Sequence, residues 1–352
     1  MLVGYPTRDE WFNTYNEPGT RKILKASLTH FDKFLVELKG LKQQTKSKKQ
    51  KAEEISKEEI DFFEYVRNTD EMELFRILEK IKQLLLSNLK QLSSRFYLGH
   101  IMTWFRINGV RIDPMTYKLK IRWNKRHKEL KFTPDKNLIR QVIDNSRTLR
   151  YKLFYTMAVA TGARQSEILS LRKMDIDLSN VIPSVHFLAE NTKTKQERYS
   201  FLTPECADLL KTHYLNKDIS PEDEIFPFGP DALQIHFMRI RAMLGHTEKY
   251  KTGTSKFTIH RMRAYTKRNL SKDTSGDDFA HLILGHSEGL ATYDGDTIEA
   301  LREEYSQAVQ SLTISDIRKH TELSEKLTEQ NALLKQEIEL LKLQIKHELE
   351  EK

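Results

Sequence analysis

Hydrophobic residues recur every three or four positions through most of the chain, which is the spacing of helices with one buried face. In the first third, this spacing covers residues 8–40, 57–67, 71–92 and 93–107. The stretch KGLKQQTKSKKQK (39–51), which follows the first of these segments, is polar and dense in lysine. Because it has no apolar face to bury, we predict a mobile loop there. The pattern therefore predicts an all-helical N-terminal domain over residues 1–115.

A second domain is predicted to open at FTPDKNLIRQVIDNS (132–146), which has an apolar helix face. Thr133 is the predicted N-cap of this helix and Pro134 its first helical residue. A buried helix is predicted to follow at 150–160.

Alternation of apolar and polar residues replaces the helical spacing in VHFLA (185–189) and RYSFL (198–202). Such alternation is typical of half-buried strands, so the two stretches predict a small hairpin around NTKTKQE. Helical spacing returns from 204 onward. The expected fold is mainly α with a small antiparallel sheet, giving an α+β domain over 132–315.

Residues 318–352 show a heptad pattern. Leucines lie seven apart at the d positions and Asn or Ile at the a positions, namely Leu327, Leu334, Leu341, Asn331, Ile338 and Ile345. Ile at a with Leu at d and a single Asn favours a two-stranded parallel coiled coil. Leu333, Leu340 and Leu343 lie off this seam, so a lone amphipathic helix folded back on the core remains an alternative.

The net charge of +8 is concentrated in the first third of the chain. Residues 1–130 carry 26 Lys or Arg against 17 Asp or Glu, whereas 131–317 carry 25 of each. Nucleic acid is the usual partner of such an excess, because each cation at a phosphate releases condensed counterions. A generally basic surface is the alternative.

Seven basic residues and one acidic residue, Glu129, occur in 115–131. We interpret 116–131 as a basic interdomain linker that lies on the backbone of a duplex, with a solvated linker as the alternative. The predicted DNA contacts are Lys118, Lys120, Arg122, Lys125, Arg126 and Lys128.

Cysteine content and hydropathy exclude several classes of protein. A single cysteine, Cys206, excludes an internal disulfide and a cysteine-based zinc site. No apolar run approaches the roughly 20 residues that a membrane span needs. We expect a soluble cytoplasmic protein with no membrane partner.

Five segments with candidate catalytic residues follow one another in the C-terminal half. They are TGARQSEILSL with Arg164 and Glu167, NTKTKQER with Lys193, TIHRMR with His260 and Arg263, LILGHS with His286, and LATYDGD with Tyr293. Each is weak alone, since Arg164 and Glu167 could form an ordinary surface pair three residues apart. In this order, over about 131–310, they resemble the tyrosine recombinases of the phage integrase and Xer class.

The resemblance implies that Tyr293 attacks a phosphodiester and forms a 3′-phosphotyrosine bond, with no metal or other cofactor. Arg164 and Arg263 would hold the two non-bridging oxygens, because planar guanidiniums match them in shape and charge. His260, helped by His286, would take the tyrosine proton, since a phenol with a pKa near 10 is a poor nucleophile at neutral pH. Lys193 would protonate the departing 5′-oxygen, and Glu167 would support the site.

Two of these assignments have rivals. Lys195 competes with Lys193, although only Lys193 has the usual spacing to Arg198. Tyr293 follows His286 by seven residues, which is fewer than usual in the family, so Tyr305 competes with it. Tyr305 lies in a helical stretch and is more simply interpreted as a core or dimer contact. His246 belongs to another LGH sequence but precedes His260, and is interpreted as a helix end.

The family relation implies a site-specific recombinase that acts on double-stranded DNA in integration, excision or resolution. Members work as a tetramer on two duplexes, so a homo-oligomer in the nucleoid is expected, with the coiled coil pairing protomers. Alternatives are a type IB topoisomerase-like or telomere-resolving enzyme and a non-catalytic DNA-binding relative. Formation of recombinant product between two sites would distinguish a recombinase from an enzyme that only relaxes DNA.

Overall fold

The computed structural model describes residues 5–38, 48–125, 129–215, 220–285 and 297–315. The chain divides into an N-terminal unit, Met1–Lys128, and a C-terminal unit, Glu129–Lys352. The coiled coil predicted at 318–352 lies outside the described residues. None of the described helices is long and apolar enough to cross a membrane.

The described part of the N-terminal unit is built from helices, as the hydrophobic spacing predicted. They are α1 (Arg8–Asn13), α2 (Pro18–Leu38), α3 (Lys48–Arg67), α4 (Glu71–Asn88), α5 (Gln91–Ile107) and α6 (Pro114–Lys120). The predicted loop at 39–51 is too long, because α3 already begins at Lys48. The residues KKQKAEE that open α3 are good helix formers, so the helix extends beyond its apolar part. Residues 39–47 lie outside the described residues.

Phenylalanines from three helices form the centre of the N-terminal core. Phe31 of α2 and Phe105 of α5 are fully buried, and their ring centroids are 5.4 Å apart. Phe63 of α3 lies 5.3 Å from Phe105 in an edge-to-face arrangement, which is a favourable geometry for aromatic pairs. These contacts hold α2, α3 and α5 together.

The predicted basic linker begins within helical structure. Asp113 caps α6 by accepting a hydrogen bond from the Thr116 backbone N–H, and Pro114 is its first residue. The spacing did not predict α6, because this short helix buries no residue and so shows no apolar face. Beyond it, Ile121 is 3% exposed in the N-terminal core. The side-chain amide of Gln91 donates to the Asn124 carbonyl at 2.7 Å. The chain is therefore attached to the N-terminal unit as far as residue 124.

Four of the predicted DNA contacts are exposed in this segment, namely Lys118, Lys120, Arg122 and Lys125. Arg126 and Lys128 lie outside the described residues.

Helices also make up most of the C-terminal unit. They are α7 (Lys136–Asp144), α8 (Leu149–Thr161), α9 (Gln165–Leu169), α10 (Pro204–Leu215), α11 (Pro230–Met243), α12 (His260–Asp273), α13 (Asp277–Leu284) and α14 (Ile298–Leu312). The predicted start of α7 is wrong: its N-cap is Asp135, and Thr133 and Pro134 precede the helix. The Asp135 carboxylate accepts a hydrogen bond from the Leu138 backbone N–H at 2.8 Å, which satisfies one of the free donors at the helix start.

A three-stranded antiparallel sheet completes the C-terminal unit. Its order is β1 (Ile176–Asp177), β2 (Ser184–Phe187), β3 (Arg198–Phe201), and Phe187 pairs with Arg198 at the base of the β2–β3 hairpin. The predicted hairpin and the mainly α fold with a small antiparallel sheet are thus confirmed. Strand β1 was not predicted, because two residues are too few to show an alternating pattern.

Helix α8 is the centre of the C-terminal core, as expected for the buried helix predicted at 150–160. It packs against α7, α10 and α12, and every residue from Leu153 to Thr161 is buried. Its last carbonyls have no partner within the helix, and water does not reach them. Side chains of other elements donate to four of them in succession: Thr266 to Val159 at 2.8 Å, Tyr305 to Ala160 at 2.9 Å, Ser200 to Thr161 at 3.3 Å and Arg263 to Gly162 at 2.7 Å.

Hydrogen bonds to Glu205 fix the chain where the described part of the C-terminal unit ends. One oxygen of this buried carboxylate accepts from the Ile314 backbone N–H at 2.8 Å, and the other accepts from the Ser315 backbone N–H at 2.7 Å and from its hydroxyl. The Arg140 Nε donates to the Ile314 carbonyl at 2.9 Å. The last described residues, Ile314 and Ser315, are therefore attached to both α10 and α7.

Candidate active site

Arg164 is placed by the turn that joins α8 to α9. Gly162 ends α8 with a φ of 59°, in the left-handed region that favours glycine. A Cβ at this position would lie 3.1 Å from a Thr266 methyl and 3.3 Å from Leu284, so the turn is packed as closely as glycine allows. Arg164 follows as the N-cap residue of α9.

Glu167 holds Arg164 in place. Its carboxylate accepts the Arg164 backbone N–H at 2.9 Å and the guanidinium Nη1 at 2.7 Å. Glu167 is fully buried, whereas the Arg164 side chain is 24% exposed. The two residues thus have the spacing of a surface pair, but the carboxylate lies in the core and the guanidinium reaches toward solvent.

A second arginine, Arg198, binds the same carboxylate. Its Nη2 lies 2.7 Å from Glu167 Oε2, and its side chain is 2% exposed. Sequence reasoning missed Arg198 as a site residue and used it only as a spacing marker. A signal was present, because the alternation in RYSFL places position 198 on the same buried face as Ser200. A charge on the buried face of a strand requires a charged or hydrogen-bonding partner.

The two arginines and burial determine the ionisation of Glu167. Burial alone would raise the pKa of the Glu167 carboxyl, but the charge of Arg198 and the hydrogen bonds from Arg164 and Arg198 outweigh it. The pKa therefore lies below its usual value of 4.5, and Glu167 is ionised at neutral pH.

Arg263 lies in α12 and joins the ends of two helices. Its Nη1 donates to the Gly162 carbonyl at 2.7 Å and its Nη2 to the Leu284 carbonyl at 2.8 Å, at the ends of α8 and α13. Burial and the neighbouring charge of Arg164 lower the pKa of Arg263 to about 10, so it stays protonated at neutral pH. The backbone at the end of two helices thus fixes the Arg263 guanidinium near that of Arg164.

His260 is the first residue of α12 and is exposed. It borders a pocket of about 70 Å³ whose polar lining also includes Gln165 and Arg263. Although the residue is exposed, its ring is partly desolvated where it borders this pocket, which lowers the pKa of His260 below 6.5. Four neighbouring cationic side chains lower the pKa further: Arg263, Arg261, Arg164 and Lys131. His260 is therefore neutral at neutral pH and able to accept a proton beside the two arginines.

The β2–β3 hairpin carries both candidate lysines in its turn. Lys193 is exposed, and it follows Thr192, whose hydroxyl donates to the Gln196 carbonyl at 2.9 Å and holds the turn closed. Lys195 has a φ of 55°, and its Nζ donates to the Glu190 carbonyl at 3.2 Å. Because its ammonium is engaged within the turn, Lys195 is the weaker candidate for a contact outside the hairpin.

Of the remaining predicted residues, His286 and Tyr293 lie outside the described residues. The rival tyrosine, Tyr305, is fully buried in α14 and donates to the Ala160 carbonyl. Burial raises the pKa of Tyr305 well above 10, so this hydroxyl cannot attack a phosphate while the helix is packed. His246 lies just after α11, beyond Gly245 with a φ of 77°, and is a helix end as predicted.

The described part of the site is rich in cations and contains one buried carboxylate, Glu167. Among the described residues, no group of three or more His, Cys, Asp or Glu could hold a metal ion. Arg164, His260 and Arg263 are close enough for their charges to affect one another. Such an arrangement can bind an oxyanion and accept a proton next to it.

Comparisons with known proteins identify sequence relatives of this chain. Residues 133–293 match the phage integrase family. The tyrosine recombinase XerA of Saccharolobus solfataricus is 27% identical over 225 residues, which is 63% of this chain and 69% of that protein.

Two recombinases on DNA are among the solved structures that match this chain. The XerH site-specific recombinase in a post-cleavage complex with palindromic difH is 16% identical, with a TM-score of 0.50 over 80% of this chain and 96% of that one. A lambda integrase (75–356) dimer on a COC′ core site is 18% identical, with a TM-score of 0.48 over 78% of this chain and 98% of that one. At such identity, the XerH likeness shows a shared fold only.

Glu167→Gln is expected to destabilise the C-terminal unit by about 3–5 kcal/mol, because it leaves the buried Arg198 guanidinium without its counter-charge. The matched control is Glu248→Gln, since Glu248 pairs with Lys256 at 2.7 Å in the same unit and its side chain is 73% exposed. That change should cost far less, because solvent screens an exposed pair. The difference in unfolding free energy between wild type and Glu167→Gln should shrink as the pH falls below 4.5. The pKa of Glu167 is lowered in the folded state, so this carboxylate stabilises the fold only while it is ionised.

The measurement must report the C-terminal unit. All three tryptophans, Trp11, Trp104 and Trp123, belong to the N-terminal unit, so their fluorescence follows the wrong part of the chain. Hydrogen–deuterium exchange of α8 and α13 under denaturant gives the free energy of unfolding of the C-terminal unit. Equal losses for Glu167→Gln and Glu248→Gln would show that the buried pairing contributes no more stability than an exposed one.

Proposed function

We propose that this chain, which belongs to the tyrosine recombinase or phage integrase family, cleaves and rejoins DNA at specific sites through a 3′-phosphotyrosine intermediate. The observation that carries the proposal is the convergence of Arg164, Arg263 and a neutral His260, the last two of which line one small pocket. Two fixed guanidiniums and an adjacent base are the groups that attack by a tyrosine on a phosphodiester requires.

Arg164 and Arg263 bind the non-bridging oxygens of the scissile phosphate. The transition state carries added negative charge on these oxygens, so preorganised cations bind it more strongly than the ground state. Glu167 supports the assignment of Arg164, because it fixes the guanidinium with a hydrogen bond of 2.7 Å. The two carbonyls that hold Arg263 support its assignment in the same way.

Proton transfers complete the cleavage step. Tyr293 is the nucleophile, and His260 accepts its phenolic proton, with help from His286. As the tyrosine oxygen bonds to phosphorus, the bond from phosphorus to the 5′-oxygen breaks and Lys193 gives that oxygen a proton. The exposed position of Lys193 in a hairpin turn supports this role.

Both units bind the duplex, and the basic segment 116–131 lies along its backbone. Exposure of Lys118, Lys120, Arg122 and Lys125 supports this arrangement, as does the excess of positive charge in residues 1–130. The protein acts in the nucleoid, as a tetramer on two duplexes that exchanges strands through a four-way junction. Its role is integration, excision or resolution.

Residues 318–352 form a parallel coiled coil that pairs protomers. The proposal rests on the heptad with Asn331 at one a position and leucine at d. The hydrogen bonds that fix Ile314 and Ser315 support a tail that starts at a defined point on the unit.

Tyr293→Phe is expected to abolish the covalent adduct with a nicked half-site, because the attacking oxygen is removed. The matched control is Tyr305→Phe, which should still form the adduct while losing about 1–3 kcal/mol of stability from the unsatisfied Ala160 carbonyl. Denaturing electrophoresis of labelled DNA measures the adduct. If Tyr293→Phe still forms the adduct and Tyr305→Phe does not, the nucleophile is Tyr305 and the assignment to Tyr293 is wrong.

Adduct formation in single turnover should decline with acidity only below pH 6.5. His260 must be neutral to accept a proton, and its lowered pKa keeps it neutral to a pH below the usual value of 6.5. His260→Asn should be slow across the range from about pH 5 to about pH 8 and lose this acid limb. The control His246→Asn should keep the wild-type profile. A profile unchanged by His260→Asn would exclude this histidine as the base.

Leu334→Lys is expected to lower the mass of the DNA-free protein measured by sedimentation, because it places a charge on the predicted seam. The neighbouring Leu333→Lys lies off the seam and should leave the mass unchanged. If the two variants behave alike, or if removal of 318–352 leaves the mass unaltered, the coiled coil does not pair protomers.

A further inference from the structure

We propose that Arg198 is a positioning residue for strand cleavage, which holds the hairpin that carries Lys193 in register with Arg164. The inference rests on the proposed function and adds a residue to it. Arg198 is not placed to contact substrate, because its side chain is 2% exposed and does not line the pocket that His260 and Arg263 border. It acts through the residues that it holds.

The first link is the shared carboxylate of Glu167. Glu167 Oε2 accepts a hydrogen bond from Arg198 Nη2, and Glu167 Oε1 accepts one from Arg164 Nη1, each at 2.7 Å. Both bonds are charge-assisted, and the carboxylate between them is fully buried, so the three groups move as one body. The position of Arg198 therefore constrains the position of Arg164.

The second link is the base of the hairpin. Arg198 opens β3 and pairs with Phe187, the last residue of β2, so it closes the loop in which Lys193 lies. The guanidinium carbon of Arg198 is also 4.4 Å from the centroid of the Phe187 ring. One side chain thus contacts both strand ends from which the Lys193 loop departs.

The third link reaches the end of α13. Arg198 Nε donates to the Ile283 carbonyl at 3.1 Å. Two residues later, Gly285 adopts a φ of 71°, and a Cβ there would lie 2.8 Å from Arg198 Cδ. Only glycine at position 285 leaves room for the Arg198 side chain, so the turn and the arginine are packed directly against each other.

Stability alone is a poor reason for this arrangement. A buried ion pair is often no more stable than well-packed apolar residues of the same volume. Arg198 Nη1 is also buried without a hydrogen-bond partner among the described residues, which is an added cost. Three directed contacts from one planar group instead fix the geometry between three segments that carry site residues.

The chemistry of the leaving group separates positioning of Lys193 from a general structural role. With a 5′-oxygen leaving group, Tyr293 bonds to phosphorus, the bond from phosphorus to the 5′-oxygen breaks, and Lys193 supplies a proton. With sulfur in place of that oxygen, the sulfur leaves as a thiolate, since thiol pKa values are near 8.5 and no proton is needed. A variant whose defect is a misplaced Lys193 is therefore rescued by the sulfur substrate.

The test variant is Arg198→Lys, which keeps a positive charge for Glu167 but loses the Nε contact and the planar group over Phe187. Its adduct formation with the 5′-oxygen half-site should fall about 100-fold, as expected for a small displacement of a catalytic group. With the 5′-sulfur half-site, its rate should return to within about threefold of wild type, as for Lys193→Ala. Half-site affinity should be unchanged, because phosphate contacts are spread over many residues.

Arg302→Lys is the matched control. Arg302 Nε donates to the Ile182 carbonyl at 3.1 Å and its guanidinium lies 5.8 Å from the Phe201 ring, and its contacts in the described part of the chain include none of the site residues. Its rates should equal those of wild type on both substrates. Phe187→Leu is a second variant that leaves the ion pair intact, and it should show a smaller defect that sulfur also rescues.

Equal slowing of Arg198→Lys on both substrates, or wild-type rates on both, would overturn the proposal. If Arg198→Lys does not fold, an unrescued Phe187→Leu defect or a wild-type rate for Phe187→Leu would overturn it as well. Failure of the proposed function gives a different result, because wild-type protein would then form no adduct with either half-site.

Discussion

The buried C-terminal end of α8 is the constraint on which the C-terminal unit depends. Its last carbonyls face the core, so each needs a donor from elsewhere in the chain. Those donors come from β3, α12 and α14, and each one fixes its own element against α8. Arg263 donates to the next carbonyl, that of Gly162, so the requirement that closes the core also places one guanidinium of the proposed phosphate clamp.

A second buried charge extends this placement to the other arginine. Glu167 lies in α9, which follows α8 in the chain, and its carboxylate accepts hydrogen bonds from Arg164 and Arg198. The two guanidiniums of the proposed phosphate clamp are thus anchored from behind, one by helix carbonyls and the other by a carboxylate. Anchors of this kind leave the solvent side of the clamp for a phosphate, and they lose no freedom when it binds.

The sequence predicted the elements whose hydrophobic residues recur with a clear period, and the candidate residues that lie within recognisable motifs. The buried α8, the β2–β3 hairpin and the order of Arg164, Lys193, His260 and Arg263 could be read from single segments. The start of α7 could not, because Thr133 and Asp135 are both good caps and only the fold decides between them. Arg198 was not predicted as a site residue for a related reason, because its partner Glu167 lies 31 residues earlier in the chain and only the fold brings the two together.

The attachment of Ile314 and Ser315 to Glu205 has a mechanical consequence. A pull on anything fused or assembled beyond residue 315 meets the hydrogen bonds to α10 and α7 first. The load is then shared by these two helices, which both pack against α8. A fusion joined after residue 315 would therefore pull on the core of the unit through α7 and α10, and not through α14 alone.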